Sequence, residues 1–413
     1  MARTELFWAI INLADERTMQ KLCKDEVIKR CLAKLFNLHN TRRFYQIKEC
    51  LDFIYKNYYK FRKYVDKGED IDENILFNCL NSRVLKLFPQ LTNNNEIFYN
   101  TMLFTIKKAN YWATYSETYY KTIYENQELS GQIYPELTKT KDYSTYISTG
   151  IDTEKYPSDN TRQLYQGFNQ DNFRELRKKN KTALIKEFSS DRIQTNFIDT
   201  TLFKDDNNNV IGYLDSFYEA PLIFSTLQTD LYANGVDVLF NTVLKLFELH
   251  KNVQFIINIP NGLSVDYIKS WVNFLSQNKY FNGRWVYIDN TVNLPKFLAG
   301  SDMILLPKRM NIPVYENLLA MHYGCVPVVS RNGMLNDTII DIFDNITQGC
   351  GFKTKKSLIT DENNTEIFLT PVIKAINLYQ NNPSSWNLLI KNCLNKDIRW
   401  NFNILEKYNQ IYQ

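Results

Sequence analysis

Glycine is scarce in this chain, with 13 among 413 residues, roughly 3% against an average near 7%. Loops that cradle phosphate use glycine to bring backbone N–H groups close to a ligand, so such a loop has few places to form. Histidine is scarcer still. His39, His250 and His322 stand far apart, which argues against a multi-histidine metal site, and no metal or resident cofactor is expected. The seven cysteines are odd in number and include no CxxC pair; they read as buried thiols of a reducing compartment. No run approaches the roughly 18 apolar residues of a membrane span. The apolar run in MARTELFWAIINLADERT is too short for a signal h-region and soon meets charge, so a cytoplasmic location is expected. Neither sign of charge dominates: the net charge is +4, too small to argue for nucleic acid or anionic lipid.

What is present describes a globular protein. The chain is 44% hydrophobic and 23% charged, which excludes collagen-like, mucin-like and wholly disordered classes, and its length suggests two domains. Residues 6–12 read as a short strand and 14–68 as helices. Within these, IKECLDFIYKNYYKFRKYVDK places Ile47, Cys50, Leu51, Ile54 and Tyr58 at helical spacing. The basic residues of 42–63 then form a solvated face, with nucleic-acid or partner binding as the other reading. Residues 98–124 read as helix, short strand and a helix opening at Ser116 or Thr118. Residues 171–188 form a charged helix. Within 189–218, KDDNNNVIG reads as an insertion or exposed hairpin.

From residue 221 the pattern changes. PLIFSTL, VQFIINI, RWVYID, DMILLP and VPVVS are apolar throughout, and amphipathic helical stretches alternate with them. Strands without polar alternation belong to a parallel sheet covered on both faces, so 221–370 predicts a Rossmann-like domain. The tail from NPSSW to LEKYNQIYQ reads as helical.

The run AGSDMILLPKRMNIPVYENLLAMHYGCVPVVSRNGMLNDTIID, residues 299–341, closely resembles a run of the glycogen and starch synthases, retaining glycosyltransferases of the GT-B fold. Ala299, Gly300, Asp302, Pro307, Arg309, Met321, Tyr323, Gly324, Gly333 and Asp337 coincide with that family's pattern. Weaker similarity extends through YWATYSETYYKTI, STGID, KKNKTALIKEF, NGVDVL and GCGF, so the resemblance covers about 75–413. It implies two Rossmann-like domains: an abridged, helix-rich N-terminal one over 1–220 and a nucleotide-sugar-type one over 221–395. It also implies a C-terminal helix, 396–413, packing back on the N-terminal domain. The implied reaction moves glucose from ADP- or UDP-glucose to an α-glucan without a metal, the leaving diphosphate being met by cations and backbone N–H groups.

The departures from the family pattern fall on that chemistry. Its glutamate and glycine in the loop opening the donor helix stand here as Asn311 and Val314. Its phosphate-binding Arg and Lys are Thr229 and Asn234, with Asp230 between them, and losing two such cations costs several kcal/mol at about 1.5–3 each. Its active-site histidine aligns with Glu73. Lys308, Arg309 and Gly333 remain as donor-binding candidates and Glu316 as a candidate acid; the plain readings are that Arg309 pairs with a carboxylate at the interdomain cleft and that Glu316 serves its helix dipole. Asp302 and Asp337 read as scaffold positions.

Three functions are compatible with this pattern. One is a catalytically inactive GT-B protein serving as structural subunit, scaffold or regulator in a protein complex. The second is an active transferase with a rebuilt site, using a nucleotide sugar and a glucan or other acceptor. The third is a module binding α-glucan through surface aromatics (Tyr58, Tyr59, Tyr119, Tyr120) or nucleic acid through 42–63.

Overall fold

The structure is a computed structural model that describes residues 62, 63, 66, 90–93, 96–99, 106, 109–190, 210–249, 252–310, 314–358, 364–400 and 402–412. The chain divides into two compact units: Met1–Trp112 with Ile123–Thr145, and Ala113–Thr122 with Tyr146–Gln413. In the first, β1 (Gln90–Asn93) and β2 (Glu96–Tyr99) pair antiparallel. The strand expected at 6–12 and nearly all of the helical stretch 14–68, including Tyr58 and Tyr59, lie outside the described residues, as does Glu73. So does about half of the stretch 1–220, expected from the sequence as an N-terminal Rossmann-like domain. After β3 (Trp112–Thr114) comes α1 (Glu117–Glu125), starting where the sequence opens a helix at Ser116 or Thr118. Two shorter helices follow, α2 (Gln127–Ser130) and α3 (Tyr134–Lys139), and then β4 (Ser144–Tyr146).

The second unit is built on a seven-stranded sheet. In chain order its strands are β5 (Val210–Leu214), β6 (Leu222–Thr226), β7 (Gln254–Asn258), β8 (Arg284–Ile288), β9 (Met303–Leu306), β10 (Val326–Val329) and β11 (Phe352–Lys353). In space they lie in the order β11-β10-β9-β6-β7-β8-β5. The pairings are parallel except for β5, which runs antiparallel along β8. The five runs expected as strands are therefore the sheet's interior. Every residue of β7, β8, β9 and β10 is buried, as a sheet covered on both faces requires. Each fully buried aliphatic or aromatic side chain contributes about 1.5–3 kcal/mol relative to exposure.

One sequence expectation needs correction. Val210–Leu214, at the end of the supposed insertion, is the edge strand β5, with Ile211 and Leu214 packed into the core. The charged helix of 171–188, α4 (Phe173–Glu187), belongs to the sheet unit, and its inner face buries Arg177, Asn180, Lys181, Leu184 and Ile185.

Partners inside the unit explain how α4 buries charge. Arg177 donates from Nε to the Tyr323 carbonyl at 2.9 Å and from Nη2 to the Ser301 carbonyl. Lys181 Nζ lies 2.7 Å from Asp302 Oδ2 and also donates to the Ala220 carbonyl and the Tyr379 hydroxyl. Asp302 accepts from Leu222 N at 2.8 Å as well, so its carboxylate joins the starts of β6 and β9. α4 approaches α8 (Leu294–Gly300) closely, and any side chain at Gly300 would meet Leu184 and the Asn180 carbonyl.

The remaining helices of the unit are α5 (Leu231–Asn234), α6 (Val236–Leu249), α7 (Asp266–Gln277), α9 (Glu316–His322), α10 (Gly333–Thr338), α11 (Asn364–Asn381), α12 (Pro383–Asn395) and α13 (Phe402–Tyr412). The stretch leading into α13 pairs with Ile151: Ile151 N donates to the Ile398 carbonyl at 2.8 Å, and Lys407 Nζ sits 5.0 Å from the Tyr146 ring centroid. The tail thus meets other residues of the sheet unit. Cys325, Cys350 and Cys393 are free and buried, and burial raises the pKa of each thiol; the other four cysteines lie outside the described residues. No helix among the described residues is long and apolar enough to cross a membrane.

Breaking the buried pair from one side should be costly. Asp302→Ala is expected to lower stability by about 3–5 kcal/mol in urea unfolding, and a loss under about 1 kcal/mol would show the pair to be idle. His322 gives a pH signature. Its Nε2 lies 2.7 Å from the Tyr156 carbonyl, and burial holds its pKa below the ordinary 6.5. The unfolded chain therefore takes up a proton first, and stability falls as pH drops below about 6.5. Melting temperatures between pH 5 and 7 should show this slope in the wild type and a shallower one in His322→Gln; identical slopes would refute it.

Candidate functional site

In an open parallel sheet, ligands bind outside the carboxyl ends of the strands where the chain order reverses. Here that point lies between β6 and β9: β7 and β8 follow on one side of β6, and β9, β10 and β11 on the other. The loops leaving β6 and β9 carry Thr229, Asn234, Lys308 and Arg309. The structure thus brings together at one crevice the residues singled out in sequence runs some 75 positions apart.

The loop after β6 is held by its own polar groups. Asp230 caps α5, accepting from Ala233 N at 2.9 Å, so this acid is employed in the backbone. Asn234, buried, donates its amide to the Asp230 carbonyl at 3.2 Å. Thr229 is half-buried beside them. Gly235 ends the turn with φ +64°, and a side chain there would run into the Pro307 carbonyl. Glycine is required by both the positive φ and the close approach. The loop after β9 is tied to the first loop, since Arg309 N and Met310 N both donate to the Ala233 carbonyl, at 3.0 and 3.2 Å. It is tied to the end of β10 as well: the Lys308 carbonyl accepts from Ser330 Oγ and Asn332 Nδ2.

Both candidate cations already have partners. Arg309 presents its planar fork to Asp237 on α6, Nη1 to Oδ1 and Nη2 to Oδ2, each at 2.6 Å. It also lies over the Tyr232 ring, 4.9 Å from the centroid. Its side chain is 7% exposed against 38% for Asp237, and the carboxylate raises the guanidinium pKa further. A two-point Arg–carboxylate pair uses the donor geometry that would otherwise grip a phosphate. The carboxylate lies on the helix that follows the same loop, within the sheet unit. Lys308 is buried with its Nζ 3.8 Å from Glu316 Oε1. Glu316 also accepts from Tyr315 N at 3.1 Å.

The other positions are quickly placed. Asn311 lies outside the described residues. Val314 is 3% exposed and belongs to the core cluster, so its bulk is turned away from the opening. Gly333 begins α10 with φ +40°, behind Asn332. Asp337 accepts from Ser116 Oγ and Thr118 Oγ1, both at 2.5 Å, and joins α10 to the start of α1. No group of three or more potential metal-ligating side chains occurs among the described residues. Sequence reasoning named neither Tyr232 nor the pairing role of Asp237, although Asp237 stands in the run NGVDVL that resembles the family's pattern.

Comparison with known proteins gives this geometry a lineage. Glycogen synthase of Thermosipho africanus is 26% identical over 262 residues, 62% of this chain and 45% of that protein. Glycogen synthase of Hydrogenobaculum sp. is 23% identical over 328 residues, 76% of this chain and 59% of that protein. The catalytic domain of starch synthase IV from Arabidopsis thaliana, solved bound to ADP and acarbose, superposes with a TM-score of 0.61 at 21% identity, covering 76% of this chain and 57% of that one. This chain is similar in sequence to the glycogen synthases and has the GT-B fold. It spans roughly half to three-fifths of the length of these relatives, and no protein-family model matches it. In the synthase-like chain, the shared run 299–341 supplies β9, α9, β10, α10 and the loops between them.

The crevice yields a stability test. Gly235→Ala forces φ +64° on a Cβ and a clash with the Pro307 carbonyl, so it should cost about 2 kcal/mol or more in urea unfolding. Unchanged stability would show that the β6 and β9 loops are not locked together there.

Proposed function

We propose that this synthase-like chain is a GT-B protein that no longer uses a nucleotide sugar and serves, in the cytoplasm, as a structural subunit, scaffold or regulator. The observation that carries this reading is the loss of two cations at the crevice between β6 and β9, where Thr229 and Asn234 stand, beside Arg309 and Lys308 already paired with Asp237 and Glu316. A nucleotide sugar brings a diphosphate, which a transferase must meet with unspent cations and backbone N–H groups. Here Arg309 gives both its terminal Nη groups to a carboxylate of the same unit, its buried Nε alone making no hydrogen bond. Lys308 faces Glu316, and Thr229 and Asn234 supply no charge. An incoming diphosphate would have to displace Asp237 and meet its repulsion, a double cost in a partly dry site.

The active-transferase reading makes the opposite demand, that Arg309 leave Asp237 for the ligand. Titration calorimetry with ADP-glucose, UDP-glucose, ADP and UDP separates the two. The expected result is no saturable heat from the crevice up to about 1 mM ligand, equivalent to weaker than about −4 kcal/mol. Micromolar binding, near −8 kcal/mol, that disappears in Arg309→Met would sink the inactive reading and turn attention to the acceptor.

A further inference from the structure

Away from the crevice, at the opposite edge of the sheet, a cavity of about 150 Å³ opens between α4, α11 and α12. Phe173 and Ile390 give it an apolar wall, and six charged side chains also line it: Arg174, Arg177, Lys178, Lys181, Glu219 and Asp302. Both carboxylates are taken by the lysines. Lys178 Nζ lies 2.9 Å from Glu219 Oε1, and Lys181 Nζ lies 2.7 Å from Asp302 Oδ2. Neither arginine forms an ion pair among the described residues. The lining therefore carries two guanidinium charges without a counter-charge of its own.

Arg177 is buried, and only neutral groups hold it. Nε donates to the Tyr323 carbonyl at 2.9 Å, and Nη2 to the carbonyls of Ser301 and Leu298, the latter at 3.5 Å. Nη1 donates to nothing among the described residues. The guanidinium is thereby fixed in orientation while its charge stays unmatched, and a buried charge calls for a counter-charge. Trp386 of α12, 4% exposed, lines the same cavity, and its indole N–H makes no hydrogen bond. Buried donors are almost always satisfied in native proteins, so this one suits an acceptor that the chain itself does not supply. Arg174 is exposed, its guanidinium 5.9 Å from the Phe173 ring centroid, and adds a second, solvent-facing fork.

An arginine fork is matched by a planar anion with two oxygens. The cavity is smaller than the about 300–1,000 Å³ of sites for drug-sized ligands, which limits an occupant to a few non-hydrogen atoms. We infer that it binds a short-chain carboxylate, with the charged group between Arg177 and Arg174, an oxygen accepting from the Trp386 N–H, and the aliphatic end against Phe173 and Ile390. A partly desolvated guanidinium makes such a pair stronger than it is in open water. Asp302 precedes β9, whereas Lys308 and Arg309 follow it, so this site and the crevice lie at opposite ends of the strand. Binding here is therefore independent of whether the crevice takes a nucleotide sugar.

Ligand-observed NMR titrations on the full chain test this at about 0.15 M sodium chloride, where exposed charges are largely screened. Propionate should bind saturably with a Kd of about 1 mM or below. Propionamide keeps the shape without the charge, and inorganic phosphate keeps charge without the planar carboxylate. Each should bind at least about tenfold more weakly than propionate. Arg177→Lys, which keeps the charge and removes the fork, should weaken propionate by about tenfold or more. Arg174→Gln, at an exposed position, and Trp386→Phe, which keeps a ring and removes the N–H, should each weaken it by about threefold or more. If Arg177→Lys does not fold, the exposed Arg174→Gln still decides. Arg309→Met should bind propionate as the wild type does, which places the ligand outside the crevice. Absence of saturation, equal affinity for propionamide or phosphate, indifference of a folded variant to its substitution, or loss in Arg309→Met would each overturn the assignment.

Discussion

The ion pair between Lys181 and Asp302 holds together parts of the sheet unit that are far apart in sequence. Asp302 stands at the start of β9, accepts from the start of β6, and gives its own carbonyl to Val326 N at the start of β10. Lys181 reaches it from α4 and adds bonds to the Ala220 carbonyl and the Tyr379 hydroxyl of α11. A charge in a parallel sheet protein is tolerated inside only when paired and hydrogen-bonded. Here one node satisfies both members and fixes the amino edge of three strands. It also explains why α4 belongs with the sheet: without it, Asp302 would be a buried carboxylate with no cation.

The opposite edge of the same strands is governed by the same rule with a different consequence. The Ala233 carbonyl, the Lys308 carbonyl, Gly235 and the side chains of Ser330 and Asn332 lock the ends of β6, β9 and β10 to one another. Arg309 and Lys308 project from this locked edge and are buried. A buried cation demands a counter-charge, and Asp237 and Glu316 provide it from the protein itself. That demand is met within the sheet unit. Function and stability therefore pull on the same two side chains.

Much of the fold was legible before any coordinates. Apolar runs without alternation announced β6 to β10, and the run from Ala299 to Asp341 carried the lineage. What was illegible had a common cause. β5 was hidden because an edge strand next to a polar stretch lacks the continuous apolar signal of an interior strand. The role of α4 was hidden because Arg177 and Lys181 look like a solvated face until the groups that accept from them are found.

The candidate site divides in the same way. The sequence by itself determined which residue types stand at the family's positions: Thr229 and Asn234 for two cations, Asn311 for a carboxylate, and Arg309, Lys308 and Gly333 retained. Those identities are local facts about side-chain chemistry. Only the tertiary structure decided what the retained cations do. Whether Arg309 is open to a ligand depends on a carboxylate three strands and two helices away in the chain path, brought within 2.6 Å by the turn at Gly235. Pair energies depend on distance and burial, and neither is written in sequence spacing.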